Sequence, residues 1–334
     1  MKTDIYITNF WEKIYFRDWQ IIVEDLAREK RFFPIETISS IIVLKPVYIS
    51  AKVYKEVFKR NIPIYFVWPK GDYLWKIESL QSSHISLKYK QYKYFFDDNF
   101  KLEFSKKIVY SKIENQIRFL KRYKKNYNLQ CGIYLEKLKE LQHKVLKVVS
   151  LEQLRWYEGN AAKMYFLCYW KLFKWEFYFI GRNKRPPKDP INSLLSFWYT
   201  LLAQSIYTSL ALLWLDVYCW YYHSPKDNRP ILVLDMMENW RTLVVDSLIV
   251  KLYKRWSIKK DNFIFVWDNG FKVLIKPSFR DFFIQEYQKR ILTKISYPGI
   301  ERKITIKEAF RYQWLDFIKY LNRLSNFKPY IFNW

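Results

Sequence analysis

Over roughly the first 80 residues the apolar positions come in short runs rich in β-branched and aromatic side chains: DIYIT, KIYFR, WQIIVED, ISSIIVL and IPIYFVW. Runs of this length and composition predict strands. PKGDY, at 69–73, predicts a turn into one more short strand, YLWKI. SAKVYKEVFKRN, at 50–61, places its apolar residues at helical spacing behind a serine in cap position, and predicts a helix. The pattern describes a small β-rich domain containing one helix.

From about residue 85 the period changes to that of helices and β-type alternation nearly disappears. The change predicts a linker at 78–93 and two domains, 1–85 and 86–334. Residues 88–147 carry 16 Lys and Arg against 6 Asp and Glu, interleaved with Tyr and Phe. A charged pair of helices facing solvent accounts for this, and so does a face that binds a nucleic-acid backbone; the bias in sign favours the second. NKRPPKDPINSLLSF, at 183–197, is a loop entering a helix, with Asp189-Pro190 at the helix start. Its Arg182, Lys184, Arg185 and Lys188 make either a phosphate clamp or a rigid basic connection. Residues 193–215 are 23 positions without a charge, long enough to span a bilayer. Ser196, Thr200, Gln204 and Thr208 recur every four residues along them. That stripe argues for a buried helix with one face toward a polar site.

Composition sharpens the partner. Lys and Arg number 58 against 32 Asp and Glu, a net charge of +26. Such an excess is offset best by a polyanion, nucleic acid first and an anionic membrane surface second. An apolar fraction of 50% excludes a disordered chain. Cys131, Cys168 and Cys219 are far apart and form no CxxC pair, so they read as reduced, buried thiols of an intracellular protein. MKTDIYITNFWEK carries an acid at position 4 and no long apolar core, and does not read as a signal peptide.

Candidate chemistry gathers in two places. His223 follows the uncharged helix, and an apolar run after it, ILVLDMMENWR, delivers Asp235 and Glu238. A spacing of three puts both carboxylates on one helical face, where burial is costly without a cation or basic partner. The second place is LRWYEGNAAKMY, where Glu158 is followed by small residues in a chain with only 6 glycines. An imidazole with carboxylates from two elements makes a mixed N/O site suited to Mn²⁺ or Mg²⁺. A surface histidine beside helix-terminal acids has the same spacing. GxSxG, GxGxxG and Walker A motifs are absent.

Several blocks in order resemble the family of CRISPR-associated protein one, the integrase that inserts new spacers into CRISPR arrays. They are YEGNAAKMYF, RPPKDPINSLLSFWYTLL, His223-Ser224 and RPILVLDMMENWRTLVVD, with Tyr199 preceding His223 by 24 residues. FPIETISSIIVL, NIPIYFVWPKGDYL, KIVYSKIENQIRFLKRY (similar to the family's K-x-x-NQ helix) and ITIKEAFRYQWLDFIKYLNRLSNFKPYIF extend the likeness to nearly the whole chain.

The resemblance implies an α+β fold: an N-terminal β-sandwich-like domain used for dimerisation and partner contacts, then a larger all-α catalytic domain. It implies that Glu158, His223 and Glu238 are catalytic and ligate Mn²⁺ or Mg²⁺, with Asp235 and Tyr199 just behind them. It implies strand transfer by attack of a 3′-hydroxyl on a phosphodiester. Partners would be double-stranded and branched DNA, a second copy of the chain and a dimer of the small CRISPR-associated protein two, in the cytoplasm of a prokaryote at the nucleoid, with no membrane. The basic residues of 88–147 and of the 182–188 loop would carry the DNA backbone. The competing readings are a stand-alone, structure-specific metal-dependent nuclease, a catalytically silent DNA-binding subunit, and a lipid-bound protein. Trp198, Trp214 and Trp220 depart from the pattern, standing where the family usually has small residues. With the ligands retained, catalysis is expected to survive and packing near His223 to differ.

Overall fold

The computed structural model describes residues 3–67, 73–77, 85–127, 129–173, 177, 179, 181–183, 186–224, 229–267 and 270–333. The chain divides into two compact units, 1–83 and 84–334.

The first unit is built on β1 (Thr3–Ile7), β2 (Lys13–Arg17), β3 (Gln20–Glu24), β4 (Lys30–Pro34), β5 (Ile38–Val43), β6 (Tyr48–Ile49), α1 (Ala51–Lys59), β7 (Ile64–Val67) and β8 (Tyr73–Ile77). One sheet runs β1-β5-β7-β8, parallel except for β8, and the other runs β4-β3-β2-β6. Ile5, Ile7, Ile14, Ile21, Val23, Ile41, Val43 and Ile64 join Val53 and Val57 of α1 in one apolar core. Each such side chain contributes about 1.5–3 kcal/mol by leaving water. This is the β-sandwich-like domain expected. Two strands were missed. β4 reads KRFFP, with three charged or proline positions out of five, and β6 is only two residues long. Most of the expected PKGDY turn lies outside the described residues.

The second unit is mainly helical: α2 (Ile85–Phe95), α3 (Asp98–Tyr127), α4 (Gly132–Leu146), α5 (Leu151–Tyr169), α6 (Pro190–Ala211), α7 (Ile231–Met237), α8 (Ser247–Lys254), α9 (Pro277–Ile291) and α10 (Ile306–Leu321). Much of the linker expected at 78–93 is therefore helix: α2 begins at Ile85 and is anchored by buried Gln91 and Tyr94 in its second half. The unit is not all helix. β9 (Phe263–Val266) pairs with β10 (Lys272–Ile275), and β11 (Lys294–Tyr297) with β12 (Ile300–Thr305). The turn glycines Gly270 and Gly299 have φ of 109° and 76°, which a side chain rarely allows.

Local chemistry sets the helix starts. Ser150 accepts the Gln153 N–H at 3.2 Å to begin α5, and Asp189 accepts the Asn192 N–H at 2.7 Å, with Pro190 next, to begin α6. The 30-residue α3 lies at the centre of the unit and buries polar side chains as well as apolar ones. Asn115 on it donates to the carbonyls of Asn239 (2.9 Å) and Tyr330 (3.1 Å) and accepts from the Phe332 N–H (3.3 Å). No helix among the described residues is long and apolar enough to cross a membrane. The polar stripe of α6 serves the helix and its neighbours: Thr200 and Thr208 bond carbonyls one turn back, and Ser196 accepts from Arg182.

Asn115 thus ties α3 to the turn after α7 and to the C-terminal segment. Replacing it by alanine leaves two buried carbonyls without donors, and about 2–3 kcal/mol of unfolding free energy is expected to be lost. Urea denaturation measures that loss, and limited proteolysis should show earlier cutting beyond residue 321.

Candidate functional site

Four elements of the second unit converge on one charged cluster. α5 supplies Glu158, the segment after α6 supplies His223, the end of α7 supplies Asp235 and Glu238, and α3 supplies Lys112. The spacing of three does bring Asp235 and Glu238 to the same region, but their tasks differ.

Asp235 is fully buried and organises the loop that carries His223. Its Oδ2 accepts the backbone N–H groups of Tyr221 (2.9 Å) and Tyr222 (3.1 Å), and its Oδ1 accepts that of His223 (3.0 Å). The same Oδ1 lies 2.7 Å from His223 Nδ1. A carboxylate there favours the proton on Nδ1 and leaves Nε2 as the outward nitrogen. Nε2 lies 3.7 Å from Glu238 Oε1. Burial works against a charge on His223, but the hydrogen bond and charge of Asp235, with Glu238 behind, outweigh it and raise its pKa. Carbonyls strap the loop from the other side: that of Tyr221 accepts from Ser105 (3.0 Å), that of Tyr222 from Arg155 (2.7 Å).

Glu158 and Glu238 face one cation. The Lys112 ammonium bonds Glu158 Oε1 and lies 2.6 Å from Glu238 Oε2. Tyr222 donates weakly to the other oxygen of Glu158, at 3.4 Å, and Arg241 approaches Glu238 Oε1 at 2.9 Å. The Glu238 side chain is only 3% exposed, that of Lys112 10%, that of Glu158 20%. Burial alone would raise the pKa of Glu238; Arg241, Lys112 and His223 together hold it well below the usual carboxylate range. Burial likewise opposes the charge on Lys112, and the two glutamates overcome it.

Behind this cluster the helix after Glu238 widens into a π-helical turn, Thr242–Asp246. Asp246, at its end, accepts from the hydroxyls of Tyr199 (2.6 Å) and Tyr165 (2.7 Å). The Tyr199 ring lies under the guanidinium of Arg241, 4.7 Å from its centroid, and 5.5 Å from that of Arg182. So Tyr199 stands behind the cluster and acts on it through Arg241. The Nε of Arg241 and of Arg182 finds no hydrogen-bond partner among the described residues.

The remaining candidates are dispersed. Arg182 is turned inward, donating to Asn192 (2.8 Å) and Ser196 (3.1 Å). Lys188 is exposed, and Lys184 and Arg185 lie outside the described residues. His143 is exposed on α4, and His84 lies outside the described residues. Of the basic residues in 88–147, Lys112 points into the site, whereas Lys121, Lys124, Lys125 and Lys139 line a hollow of about 440 Å³ between α3 and α4. Sequence reasoning overlooked Lys112, Arg241 and Asp246 as members of the site. Lys112 is the lysine of the quoted K-x-x-NQ segment, and the other two lie in the quoted block RPILVLDMMENWRTLVVD.

A helical body carrying a buried cluster of two glutamates, a carboxylate-oriented imidazole and basic partners defines a class of protein that gathers opposite charges at one enclosed point. The chain belongs to the family described as CRISPR associated protein Cas1, whose sequence profile matches residues 5–289. One relative, the CRISPR-associated endonuclease Cas1 3 of Thermus thermophilus, is 29% identical over 298 residues, 89% of this chain and 87% of the relative. A chain of a Cas6-RT-Cas1–Cas2 complex superposes with a TM-score of 0.82 at 22% identity, over 99% of this chain; the match spans 36% of that longer chain. A casposase bound to integration product superposes with a TM-score of 0.86 at 19% identity, over 100% of this chain and 95% of the other. These two likenesses are of fold.

The family implies a divalent metal, and the donors suit one. Among the described residues no group of three or more His, Cys, Asp or Glu side chains stands close enough to hold a metal as placed. The two glutamates nevertheless converge on a single cation, the Lys112 ammonium, with His223 Nε2 facing Glu238. Two carboxylates and one imidazole, the latter oriented by Asp235, form a hard N/O set of the kind Mn²⁺ and Mg²⁺ accept.

Burial pushes Asp246 up from 3.8 to about 6, against the bonds from Tyr199 and Tyr165 and the charges of Arg241 and Arg182. Between these values the folded protein keeps a proton that the unfolded chain releases. Stability therefore falls as pH rises through that window, and the loss persists above it. Relative to Asp246→Asn, the wild type is expected to lose about 2 kcal/mol between pH 4 and pH 7. Denaturation midpoints of both proteins across that range measure it.

Proposed function

We propose that this protein is a metal-dependent DNA integrase of CRISPR adaptation. It would join a 3′-hydroxyl of a short incoming DNA to a phosphodiester at the edge of a repeat. The observation that carries this reading is the convergence of Glu158 and Glu238 on one cation position beside His223 Nε2. Family membership, the endonuclease name of the Thermus thermophilus relative and the fold shared with a casposase bound to integration product support it.

Glu158, His223 and Glu238 would hold Mn²⁺ or Mg²⁺, which when bound supplies Lewis-acid stabilisation of charge on the phosphoryl oxygens. Asp235 fixes the imidazole so that Nε2 is presented without search. Arg241, held over Tyr199 by the Asp246 bond, sets the position of Glu238. The bond formed is from the attacking 3′-oxygen to phosphorus; the bond broken runs from that phosphorus to the departing 3′-oxygen. One proton leaves the attacking hydroxyl and one is taken up by the departing oxygen, so phosphodiester bonds are conserved and no nucleotide energy source is needed. The hollow lined by Lys121, Lys124, Lys125 and Lys139, together with exposed Lys188, offers cationic charge for the DNA backbone. Joining both ends of one DNA calls for two sites at fixed separation. That requirement favours a homodimer, with the N-terminal unit for dimerisation and partner contacts, and a companion related to the Cas2 of the Cas6-RT-Cas1–Cas2 complex. The place of action would be the cytoplasm, at the nucleoid.

The test is a strand-transfer assay with Mn²⁺ or Mg²⁺, a short duplex bearing free 3′ ends and a supercoiled or branched repeat target. Joining is expected from the wild type, and a loss of at least about a hundredfold in Glu158→Ala and His223→Ala and with EDTA. Cutting without joining, even with the companion protein added, would favour the stand-alone nuclease. Equal behaviour of all three proteins would overturn the site.

Gly159 supplies a second check. A methyl group there would meet nothing within 4 Å, so packing does not require glycine. Gly159→Ala should raise stability by about 1 kcal/mol, as expected inside a helix. If the small residues after Glu158 leave room for a phosphate, the same substitution should lower strand transfer several-fold.

A further inference from the structure

Lys112 is a buried lysine whose partners are the two glutamates assigned above as metal ligands. It reaches both from α3, a different element from either, and neither Glu158 nor Glu238 is its neighbour in sequence. Arg241 already neutralises one of the two negative charges at 2.9 Å, and Lys112 neutralises the other. The two glutamates are balanced without any added ion, and Asp235 faces His223 instead. A divalent cation entering between the same oxygens would sit against the Lys112 ammonium with two excess charges, in a site of low exposure where charges are poorly screened.

We propose that the Lys112 ammonium is a resident cation that holds Glu158 and Glu238 in register, and that it must withdraw when a divalent metal binds. The inference rests on the metal site of the preceding subsection and adds to it a positioning residue with a specific consequence. Metal binding is an exchange of one cation for another. Withdrawal of Lys112 and arrival of a DNA phosphate both remove the excess positive charge, so metal binds more tightly when DNA is present.

The experiment measures Mn²⁺ binding without DNA, by the loss of the free-ion electron paramagnetic resonance signal, for wild type, Lys112→Gln, Lys112→Arg and Glu158→Gln. Lys112→Gln is expected to bind Mn²⁺ at least about tenfold more tightly than wild type, since an obstructing charge is gone. Lys112→Arg, which keeps the charge, should stay near wild type. Equal or weaker binding by Lys112→Gln overturns the exchange and makes Lys112 a supporting scaffold. Should Lys112→Gln fail to fold, the wild type answers alone: reductive methylation of the Lys112 amine, read by mass spectrometry, should rise several-fold on adding Mn²⁺, and an unchanged yield overturns the proposal. If neither wild type nor Lys112→Gln binds Mn²⁺ in a way that Glu158→Gln abolishes, the metal site itself fails and the inference with it. Binding abolished by Glu158→Gln but indifferent to Lys112 overturns the exchange alone.

Discussion

Two carboxylates brought together in a poorly hydrated place need positive charge, and much of the helical unit is arranged to deliver it. Glu158 and Glu238 arrive on separate helices, and each would oppose the other if left alone. Lys112 crosses from α3 to both, and Arg241 reaches Glu238 from one helical turn away. The long central helix therefore does more than fill the core. It inserts one cation between two elements that would otherwise repel. Arg241 in turn needs a support that does not compete for its charge, and the Tyr199 ring provides one. The Tyr199 hydroxyl is fixed by Asp246, and Asp246 is placed by the π-helical turn.

The acids of this region separate by what they touch. Asp235 spends both oxygens on three backbone N–H groups and one imidazole nitrogen, leaving little capacity for anything else. It works on the loop, and through the loop on His223. Asp246 is bonded by two tyrosine hydroxyls, and burial pushes its pKa up to about 6. Glu158 and Glu238, by contrast, are answered mainly by side-chain cations: the Lys112 ammonium and the Arg241 guanidinium. Of these four acids, Glu158 and Glu238 alone form ion pairs with Lys or Arg among the described residues. This is the physical ground for proposing them, and not the aspartates, as ligands of a metal.

Much of this was legible in the sequence, for reasons that differ by element. β1, β2, β3, β5, β7 and β8 carry short β-branched runs, and α1 and α6 carry helical spacing with Ser50 or Asp189-Pro190 ahead of them; these signals are local. β4 has two charged residues and a proline in five, β6 is two residues long and β9–β12 are short strands set among helices, so composition averaged over a window hides them. Glu158, His223, Glu238 and Asp235 were found through a spacing of three, an isolated histidine and the family blocks. Lys112 was not, because nothing local distinguishes it among the 16 basic residues of 88–147. Its role comes from a partner 46 positions away and another farther still, which only the packing of α3 against its neighbours creates.

Trp198, Trp214 and Trp220, where the resemblance led one to expect small residues, sit in different settings. Trp198 is fully buried, donates to the Phe283 carbonyl at 2.9 Å and packs edge-on against the Phe283 ring. Trp220 lies under the Lys101 ammonium, 4.5 Å from its centroid, and edge-on to Phe95. Trp214 closes the end of α6 with φ of 62°, a conformation that glycine adopts freely. It is not alone: of the eight non-glycine residues with positive φ among those described, four are tryptophan. Trp11 packs against Tyr48, and Trp19 lies under the guanidinium of Arg60. The left-handed backbone costs such a residue about 1–2 kcal/mol, whereas glycine in its place would lose more conformational entropy on folding. A side chain large enough to make a ring contact narrows that difference from the folded side as well. In a chain with only 6 glycines, aromatic contact stands in for backbone freedom at the turns.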